Sequence, residues 1–229
     1  MSVISITAET EWRRGSRMRK LPRTRVTNTT HMTEPFLDYP YLLVVDLEAT
    51  CDEATADRPS RVPKHEMETI EVGAVLVETA TLAPIGELCQ FVRPVRHPVL
   101  TPFCRELTTI RQEDVDAAPT FPDAMANVAR FLEGRRALFC SWGDYDKNQL
   151  AQDASHHRIR IPFGVQAHLN LKKKLSEVLG IPKKLGMAGA LRHVGLALEG
   201  THHRGVDDAR NIARLLPWIA GRAAQASSR

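Results

Sequence analysis

The chain has 229 residues, of which 43% are hydrophobic and 25% are charged, and its formal net charge is +4 at pH 7. This length and composition are typical of one globular domain with a tail and exclude two full-sized domains. No run of residues approaches the ~18 apolar residues that a membrane-spanning helix needs, so we expect no membrane role. Four cysteines without a CxxC pair favour free thiols in a reducing compartment, and we predict a cytoplasmic protein.

The excess positive charge belongs to the N-terminal segment. Residues 1–35 contain seven Lys or Arg residues and three Glu residues, which accounts for the whole net charge of +4. This segment lacks apolar periodicity, and we predict a basic, disordered tail over residues 1–38. An inert extension, an organelle transit peptide and a segment that attracts nucleic acid all stay open for it. A folded domain is predicted over 39–221 and a short second tail over 222–229.

The hydrophobic pattern predicts three strands in succession, followed by helices that alternate with further strands. The predicted strands are 41–47, 70–77, 88–92 (after a polar turn with Pro84 and Gly86), 137–142 and a short strand at 169–171. The predicted helices are 121–132, one from about residue 146, one that ends at Gly180, 187–194 and 207–220. This order predicts an α/β fold in which helices cover a mixed five-stranded sheet.

Two acidic residues end the first predicted strand. Asp46 and Glu48 are two positions apart, so a strand directs both carboxylates to the same face. Two acids at the end of a buried strand are costly unless a positive charge neutralises them. Carboxylate oxygens are the ligands that Mg²⁺ or Mn²⁺ prefers. The pattern therefore predicts a divalent-cation site, although two solvated acids would produce the same short motif.

The last predicted helix contributes two overlapping H-x4-D patterns, His202 with Asp207 and His203 with Asp208. At 100° per residue, Asp208 lies at the centre of the apolar stripe of this helix, whereas Asp207 lies on the side of Asn211. We therefore predict that Asp208 faces the sheet and needs a cation, and that Asp207 faces outward. His203 is the candidate general base, and a surface loop histidine is the alternative.

Another acid follows the fourth predicted strand. Asp146 precedes apolar Leu150 by four residues, so the two share the inward face of a helix. Asp144 precedes polar Asn148 by the same distance and resembles a helix cap. We expect the strand-end acids, Asp146 and Asp208 to converge on one site.

These residues, in this order, resemble the three motifs of the DEDDh 3′–5′ exonuclease superfamily. The matching motifs are Asp46-Leu-Glu48, Asp146 with Leu150, and His203-x4-Asp208. The sequence is most similar to the enhanced-RNAi/histone-mRNA exonuclease branch and its bacterial relatives over about residues 40–220. That similarity is carried by segments 46–51, 65–71, 103–108, 120–122, 141–142 and 205–213. The resemblance implies an RNase H-like fold.

The resemblance also implies two-metal-ion hydrolysis at the 3′ end of single-stranded RNA or DNA, with nucleoside 5′-monophosphates as products. Four carboxylates would hold two Mg²⁺ or Mn²⁺ ions: Asp46, Glu48, Asp146 and Asp208. Asp46 would bridge both ions, Glu48 and Asp208 would complete one site, and Asp146 would hold the other ion. His203 would take the proton from the attacking water, which suits a side chain with a reference pKa of ~6.5.

Substrate contacts follow from the same resemblance. The backbone around Leu47, Ala49 and Thr50 would hold the terminal nucleotide, and the nearby side chains would be Leu107, Trp142 and Tyr145. Stacking on such side chains is worth ~1–3 kcal/mol per base and tolerates any sequence. Core packing is the alternative for Leu107 and Trp142. The lysines of 172–174 and 183–184 either steer phosphates or are solvated helix faces.

Three other classes of function stay open. A catalytically inactive nucleic-acid-binding module would keep the same fold, but the four acids and the histidine are all present. An RNase H-like endonuclease would still cut a strand whose 3′ end is blocked. A scaffold whose acids are solvated would show no response to Mn²⁺. The sequence indicates neither the oligomeric state nor a preference between RNA and DNA.

Overall fold

In the computed structural model, which describes residues 38–223, helices cover both faces of a mixed five-stranded sheet. The strands are β1 (Tyr41–Ala49), β2 (Thr69–Glu78), β3 (Pro84–Phe91), β4 (Ala137–Ser141) and β5 (Leu169–Asn170). Their order is β3-β2-β1-β4-β5, in which β1, β4 and β5 are parallel and β2 is antiparallel to both of its neighbours. The predicted sheet is therefore confirmed.

Eight helices of the described chain pack around this sheet. They are α1 (Pro102–Thr108), α2 (Gln112–Asp116), α3 (Phe121–Leu132), α4 (Tyr145–His157), α5 (Leu171–Leu179), α6 (Met187–His193), α7 (Gly205–Arg214) and α8 (Leu216–Ile219). α3 and α4 cover one face of the sheet, and α5 to α8 cover the other. None of the helices within 38–223 has the length and hydropathy needed to cross a membrane. Apart from residues 38, 222 and 223, the two predicted tails lie outside the described residues.

Strand β1 buries both of its faces and points its two acids to one of them. Val44 packs into the core beneath α5 to α8, whereas Val45 packs into the core beneath α3 and α4. Full burial of such a side chain stabilises the fold by about 1.5–3 kcal/mol. Asp46 and Glu48 follow Val44 at even spacing, so they share its face and point toward α7.

The start of β3 differs from the prediction. Pro84 and Gly86 are strand residues rather than turn residues, and the turn lies before them, where Leu82 has a left-handed backbone with φ of 59°. A proline is tolerated here because β3 is an edge strand, whose outer N–H groups have no partner strand. Gly86 faces the ring of Phe131 of α3, since a Cβ on Gly86 would lie 3.2 Å from that ring.

The predicted helix 207–220 is two helices in the structure. α7 ends at Arg214 and α8 begins at Leu216, with Leu215 between them. Pro217 lies in α8 and has no backbone N–H to continue the hydrogen bonding of a longer helix. The fifth strand is also shorter than predicted, because Leu171 is the first residue of α5. α1 and α2 are absent from the sequence predictions, since helices of 7 and 5 residues are too short for periodicity to indicate.

Candidate active site

The first turn of α7 lies directly against the central strands. A Cβ on Gly73 of β2 would lie 1.9 Å from the carbonyl carbon of Gly205. A Cβ on Gly205 would lie 2.9 Å from the carbonyl oxygen of Asp46. Side chains at these two positions would force the helix away from the sheet. The two glycines therefore set the distance at which α7 presents Asp208 to β1.

Four carboxylates meet where β1 ends. Oxygen atoms of Asp46, Glu48 and Asp208 lie within 4.8 Å of one another. Asp146, in the first turn of α4, is held beside them because the N–H of Leu47 donates to its Oδ1 at 3.0 Å. The carboxylates line a cleft of about 440 Å³, which we call the acidic cleft. The structure thus brings all four sequence-predicted acids into one place.

Burial and mutual repulsion raise the pKa values of these acids. Burial raises the pKa of Asp46, with Asp146 as the strongest of the neighbouring charges that add to the effect. Burial and then Asp208 raise the pKa of Glu48 to about 8. Burial raises the pKa of Asp146 to about 6, although the hydrogen bond from Leu47 acts in the opposite direction. A cluster of acids that resists ionisation in this way needs positive charge to hold all of its carboxylates as anions.

The donor atoms of the cluster fit a divalent cation. Within residues 38–223, Oδ1 of Asp208 is a buried oxygen without a hydrogen-bond partner. Its Oδ2 accepts from the backbone N–H of His203 at 3.0 Å. Buried polar atoms are normally satisfied, so an unsatisfied carboxylate oxygen within this cluster fits a role as a cation ligand. The set consists of hard oxygen donors, as Mg²⁺ and Mn²⁺ prefer, and Asp46, Glu48 and Asp208 are close enough to share one ion.

Two stacked histidines close one side of the cleft. The rings of His202 and His203 are 4.0 Å apart at an angle of 17°. Nδ1 of His202 lies 3.2 Å from Oδ2 of Asp208, whereas His203 contacts that oxygen only through its backbone N–H. Burial and the neighbouring His202 lower the pKa of His203. Its imidazole is therefore neutral near pH 7 and able to accept a proton.

The neighbouring Asp207 lies outside the cleft, as helical periodicity predicts. Its Oδ1 accepts from Nη1 of Arg210 at 2.6 Å, and its Oδ2 accepts from the N–H of Thr201 at 2.9 Å. Asn211, on the same side of α7 as Asp207, is nevertheless fully buried. The segment before α7 folds over it, and the Asn211 side chain donates to the carbonyl of Glu199 at 2.7 Å.

The predicted helix cap Asp144 has the position of a cap without its hydrogen bond. It is the N-cap residue of α4, but its side chain accepts no bond from the first turn. The carboxylate is 69% exposed and lies 3.9 Å from Nδ1 of His168. Asp146, only 4% exposed, is the acid of this segment that reaches the acidic cleft.

Comparison with known proteins gives the same family as the motifs. The family model described as "Exonuclease" (RNase_T) matches residues 43–216. The chain belongs to this exonuclease family. It is 32% identical over 199 residues to ERI1 exoribonuclease 3 of Bos taurus, a match that covers 83% of this chain and 57% of the relative. It is 29% identical over 204 residues to 3′-5′ exonuclease eri1 of Schizosaccharomyces pombe, covering 77% of this chain and 66% of the relative.

A solved structure confirms the RNase H-like exonuclease fold. The nuclease domain of 3′hExo, described as a DEDDh family member bound to rAMP, superimposes with a TM-score of 0.72 at 27% identity. The match covers 82% of this chain and 94% of that domain. The resemblance to DEDDh exonucleases and to their enhanced-RNAi branch is therefore confirmed. The chain spans little more than half the length of the first of these relatives.

Most of the substrate contacts implied by membership of the exonuclease family lie at the acidic cleft. The residues of this group that line it are Leu47, Ala49, Leu107, Trp142 and Tyr145. Leu107 is 37% exposed and Tyr145 is 48% exposed, so both side chains are accessible from the cleft. Thr50 is not part of the lining, because its buried hydroxyl accepts from the N–H of Glu68 at 2.9 Å.

Glu71 is an exonuclease-domain residue that sequence reasoning did not single out. It is fully buried in β2, and its carboxylate accepts from Nε of Arg204 at 3.0 Å and from the N–H of Val206 at 3.2 Å. These bonds join β2 to the start of α7. Glu71 also raises the pKa of Glu48, after burial and Asp208. The available signal was one acid inside an otherwise apolar strand pattern.

Proposed function

We propose that the chain is a two-metal-ion 3′–5′ exonuclease that shortens single-stranded RNA to nucleoside 5′-monophosphates. The observation that carries the proposal is the convergence of four carboxylates, from β1, α4 and α7, at an open cleft. The relatives named as exoribonucleases and the rAMP bound to the similar nuclease domain support RNA as the substrate. Single-stranded DNA offers the same phosphodiester chemistry and is the second substrate to be compared.

The carboxylates would hold the metal ions in two sets. Asp46, Glu48 and Asp208 have oxygens close enough to share one ion. Asp146, whose charge is the strongest neighbouring influence on the pKa of Asp46, would hold a second ion together with it. Two such divalent ions supply the positive charge that stabilises the attacking and leaving oxygens of an in-line displacement.

His203 would act as the general base. Its imidazole lines the acidic cleft, and its lowered pKa leaves the ring neutral at the pH at which a water proton must be accepted. His202 would position Asp208, because its Nδ1 faces Oδ2 of that carboxylate at 3.2 Å. The two histidines therefore have different proposed roles despite their stacking.

The apolar side chains of the cleft would hold the terminal nucleotides. Leu107 and Tyr145 are exposed at its edge. Trp142 is fixed because its Nε1 donates to the carbonyl of Leu185 at 3.2 Å. Such contacts recognise the face of a base and leave its hydrogen-bonding edge unread.

All four cysteines are free, as in proteins of a reducing compartment, and we propose a cytoplasmic location for the enzyme.

A digestion assay with a matched pair of variants tests the proposed function. We expect a 5′-labelled RNA to be shortened stepwise from its 3′ end only when Mg²⁺ or Mn²⁺ is present. Asp208→Asn should lower the rate at least about 100-fold, because several kcal/mol of charge stabilisation in the transition state is lost. Asp207→Asn, on the same turn but outside the cleft, should keep the rate within about threefold.

The same assay separates the alternatives. An RNA with a blocked 3′ end should resist digestion, whereas an endonuclease would still cut it. Neither variant should melt at a lower temperature than the wild type, so that a lost rate is not a lost fold. No metal-dependent shortening of RNA or DNA by the folded wild-type protein would contradict the proposal and favour a binding module.

A further inference from the structure

A second cleft lies beside the acidic cleft and has the opposite charge. It has a volume of about 470 Å³ and lies among the first turns of α4 and α5, β5 and the segment before α6. Four lysines line it, and we call it the lysine groove after them: Lys147, Lys173, Lys174 and Lys184. They come from three separate parts of the chain, which the fold brings together.

The two clefts are neighbours because the same two segments contribute to both. Asp144 lines the lysine groove, and the next residue, Tyr145, lines the acidic cleft. Lys184 lines the groove, and Gly186 lines the acidic cleft. Between the segments, Nε1 of Trp142 donates to the carbonyl next to Gly186, that of Leu185. A single-stranded nucleic acid that leaves the acidic cleft over these shared segments would therefore reach the lysine groove.

Most of the positive charge of the groove is not neutralised by the protein. Lys147, Lys174 and Lys184 form no ion pair with any residue of the described segment 38–223. Lys173 lies 3.9 Å from Glu177, but both side chains are more than half exposed, at 63% and 52%. Such surface pairs are weak and are readily exchanged for another anion. Asp144 is the second acid of the lining, so lysines outnumber acids four to two.

The groove is more than the solvated face of a lysine-rich helix. Lys172 and Lys183 belong to the same sequence runs but lie outside the lining. Lys147 belongs to neither run and reaches the groove from α4. A concave surface of unpaired ammonium groups suits a polyanion, because each lysine that contacts a phosphate releases condensed counterions.

We propose that the lysine groove binds the backbone phosphates of the single strand whose 3′ end lies in the acidic cleft. This proposal rests on the proposed function, because the strand is the exonuclease substrate. Continuity of the two clefts and charge complementarity identify the occupant. The contacts would be independent of base sequence, since an ammonium group reads the phosphate and not the base. The groove would retain the shortened strand after each nucleotide is released.

Two double variants of equal charge test the groove. K174E/K184E reverses two lysines of the lining, and K172E/K183E makes the same change just outside it. The probe is a 5′-fluorescein-labelled 12-nucleotide oligouridylate, and its anisotropy is measured in EDTA, where binding does not depend on hydrolysis. We expect the Kd of K174E/K184E to rise about tenfold in low salt, and that of K172E/K183E to change less than about twofold.

The salt dependence of the Kd is a second measure of the same lysine–phosphate contacts. Each phosphate contact to a single strand contributes about 0.7 to the slope of log K against log salt, so two lost contacts lower the slope by about 1.4. The ratio of the Kd of K174E/K184E to that of the wild type should then fall about sevenfold as salt rises from roughly 50 to 200 mM. A DNA 12-mer should show the same loss, because it carries the same phosphates. Equal affinities for the two double variants would overturn the proposal.

A hydrolysis assay separates this proposal from the proposed function. The p-nitrophenyl ester of thymidine 5′-monophosphate reaches only the acidic cleft, whereas the RNA 12-mer reaches both clefts. With Mn²⁺, the ratio of kcat/KM for the 12-mer to that for the ester should fall about tenfold in K174E/K184E. An equal loss on both substrates would contradict a role upstream of the 3′ end. If the wild-type protein hydrolyses neither substrate while the difference in Kd between the double variants persists, the proposed exonuclease activity is contradicted, but binding of nucleic acid by the lysine groove is still supported.

Discussion

Each of the four acids of the cleft is unfavourable as a buried anion, but together they form a candidate site for cations. Glu48 is only 8% exposed, and Asp208 and Glu71 both add to the effect of burial on its pKa. In Asp146, the hydrogen bond from the N–H of Leu47 acts against burial and favours the anion. The backbone thus holds Asp146 and Asp208 in position, through the N–H groups of Leu47 and His203. This arrangement suits a site that gains its counter-charge from bound cations.

The stacked histidines allow a direct test of the proposed base. We expect His203→Asn to lower the rate of RNA hydrolysis about 100-fold or more, because general base catalysis contributes about 10²–10⁴-fold. Asparagine is chosen because His203 has a left-handed backbone with φ of 64°, which asparagine tolerates. Single-turnover rates with Mn²⁺ would measure the loss without interference from product release.

The matched control for this test is His202→Asn. His202 bonds to Asp208 through Nδ1, and the asparagine side chain can still donate to that carboxylate, so we expect a loss of less than about tenfold. A large loss in His202→Asn with full activity in His203→Asn would assign the base to His202 instead.

Sequence reasoning predicted the inward-facing acids because they obey simple periodicities. Asp46 and Glu48 follow the alternation of a strand, and Asp208 follows the apolar stripe of a helix. Asn211 does not follow this rule, because its surroundings come from a loop that packs over α7. Glu71 was missed for a similar reason, since its partner Arg204 is 133 residues away in the chain. Periodicity indicates a direction but not what a distant segment places there.

At the scale of elements, the position of α7 depends on the absence of a side chain at residue 73. We expect Gly73→Ala to destabilise the fold by at least about 2 kcal/mol, because its Cβ would lie 1.9 Å from a backbone atom of α7. The helix can respond only by moving, which would also separate Asp208 from Asp46. Urea denaturation and the RNA assay should therefore both show a loss.

Gly189→Ala is the control for this variant. Gly189 lies inside α6, and its added Cβ would come no closer than 3.8 Å to another residue. Alanine favours a helix interior over glycine by up to about 1 kcal/mol, so this variant should be as stable as the wild type or slightly more stable. Full stability and activity of Gly73→Ala would mean that the close approach of α7 is not required.

Elements were predicted well where burial produces a clear pattern and poorly where it does not. The central strands β1 and β2 are apolar runs because both faces are covered. The edge strand β3 alternates between exposed and half-buried residues, and its Pro84 and Gly86 are also typical of turns. α1 is too short for periodicity, and its start depends on the Thr101 hydroxyl, which accepts from the N–H of Cys104 at 3.0 Å.

At the scale of the whole molecule, net charge conceals a separation of charge. Outside residues 1–35 the basic and acidic residues balance, yet the fold collects four carboxylates in one cleft and four lysines in the next. Composition reports only the sum, so the net charge does not indicate a nucleic-acid-binding surface, and the lysine runs of 172–174 and 183–184 indicate one only as an alternative to solvated helix faces. In the proposed function, the lysine groove would hold the nucleic-acid strand while the acidic cleft would bind the cations that the chemistry requires.

The acidic cleft should also make the stability of the whole molecule depend on pH and on cations. Burial and the neighbouring Asp208 raise the pKa of Glu48 to about 8 in the folded protein, from an ordinary value of 4.5. Between these values the folded protein holds a proton that the unfolded chain has lost, so the free energy of unfolding falls as pH rises through this window. The shift corresponds to a loss on the order of 5 kcal/mol, complete above about pH 8.

Urea denaturation of the wild type and Glu48→Gln in EDTA would measure this contribution. We expect equal stability of the two proteins near pH 4.5, and a variant that becomes progressively more stable than the wild type toward pH 8.5. Comparison of the two proteins at each pH cancels the contribution of His203, whose lowered pKa acts in the opposite direction. At pH 8.5, Mn²⁺ should raise the free energy of unfolding of the wild type more than that of Glu48→Gln, because the ion binds the ionised carboxylate cluster. Glu106→Gln, at an exposed position of α1, should have the same free energy of unfolding as the wild type at every pH. A wild-type stability that does not fall relative to Glu48→Gln would contradict the crowding of unpaired carboxylates on which the proposed metal site depends.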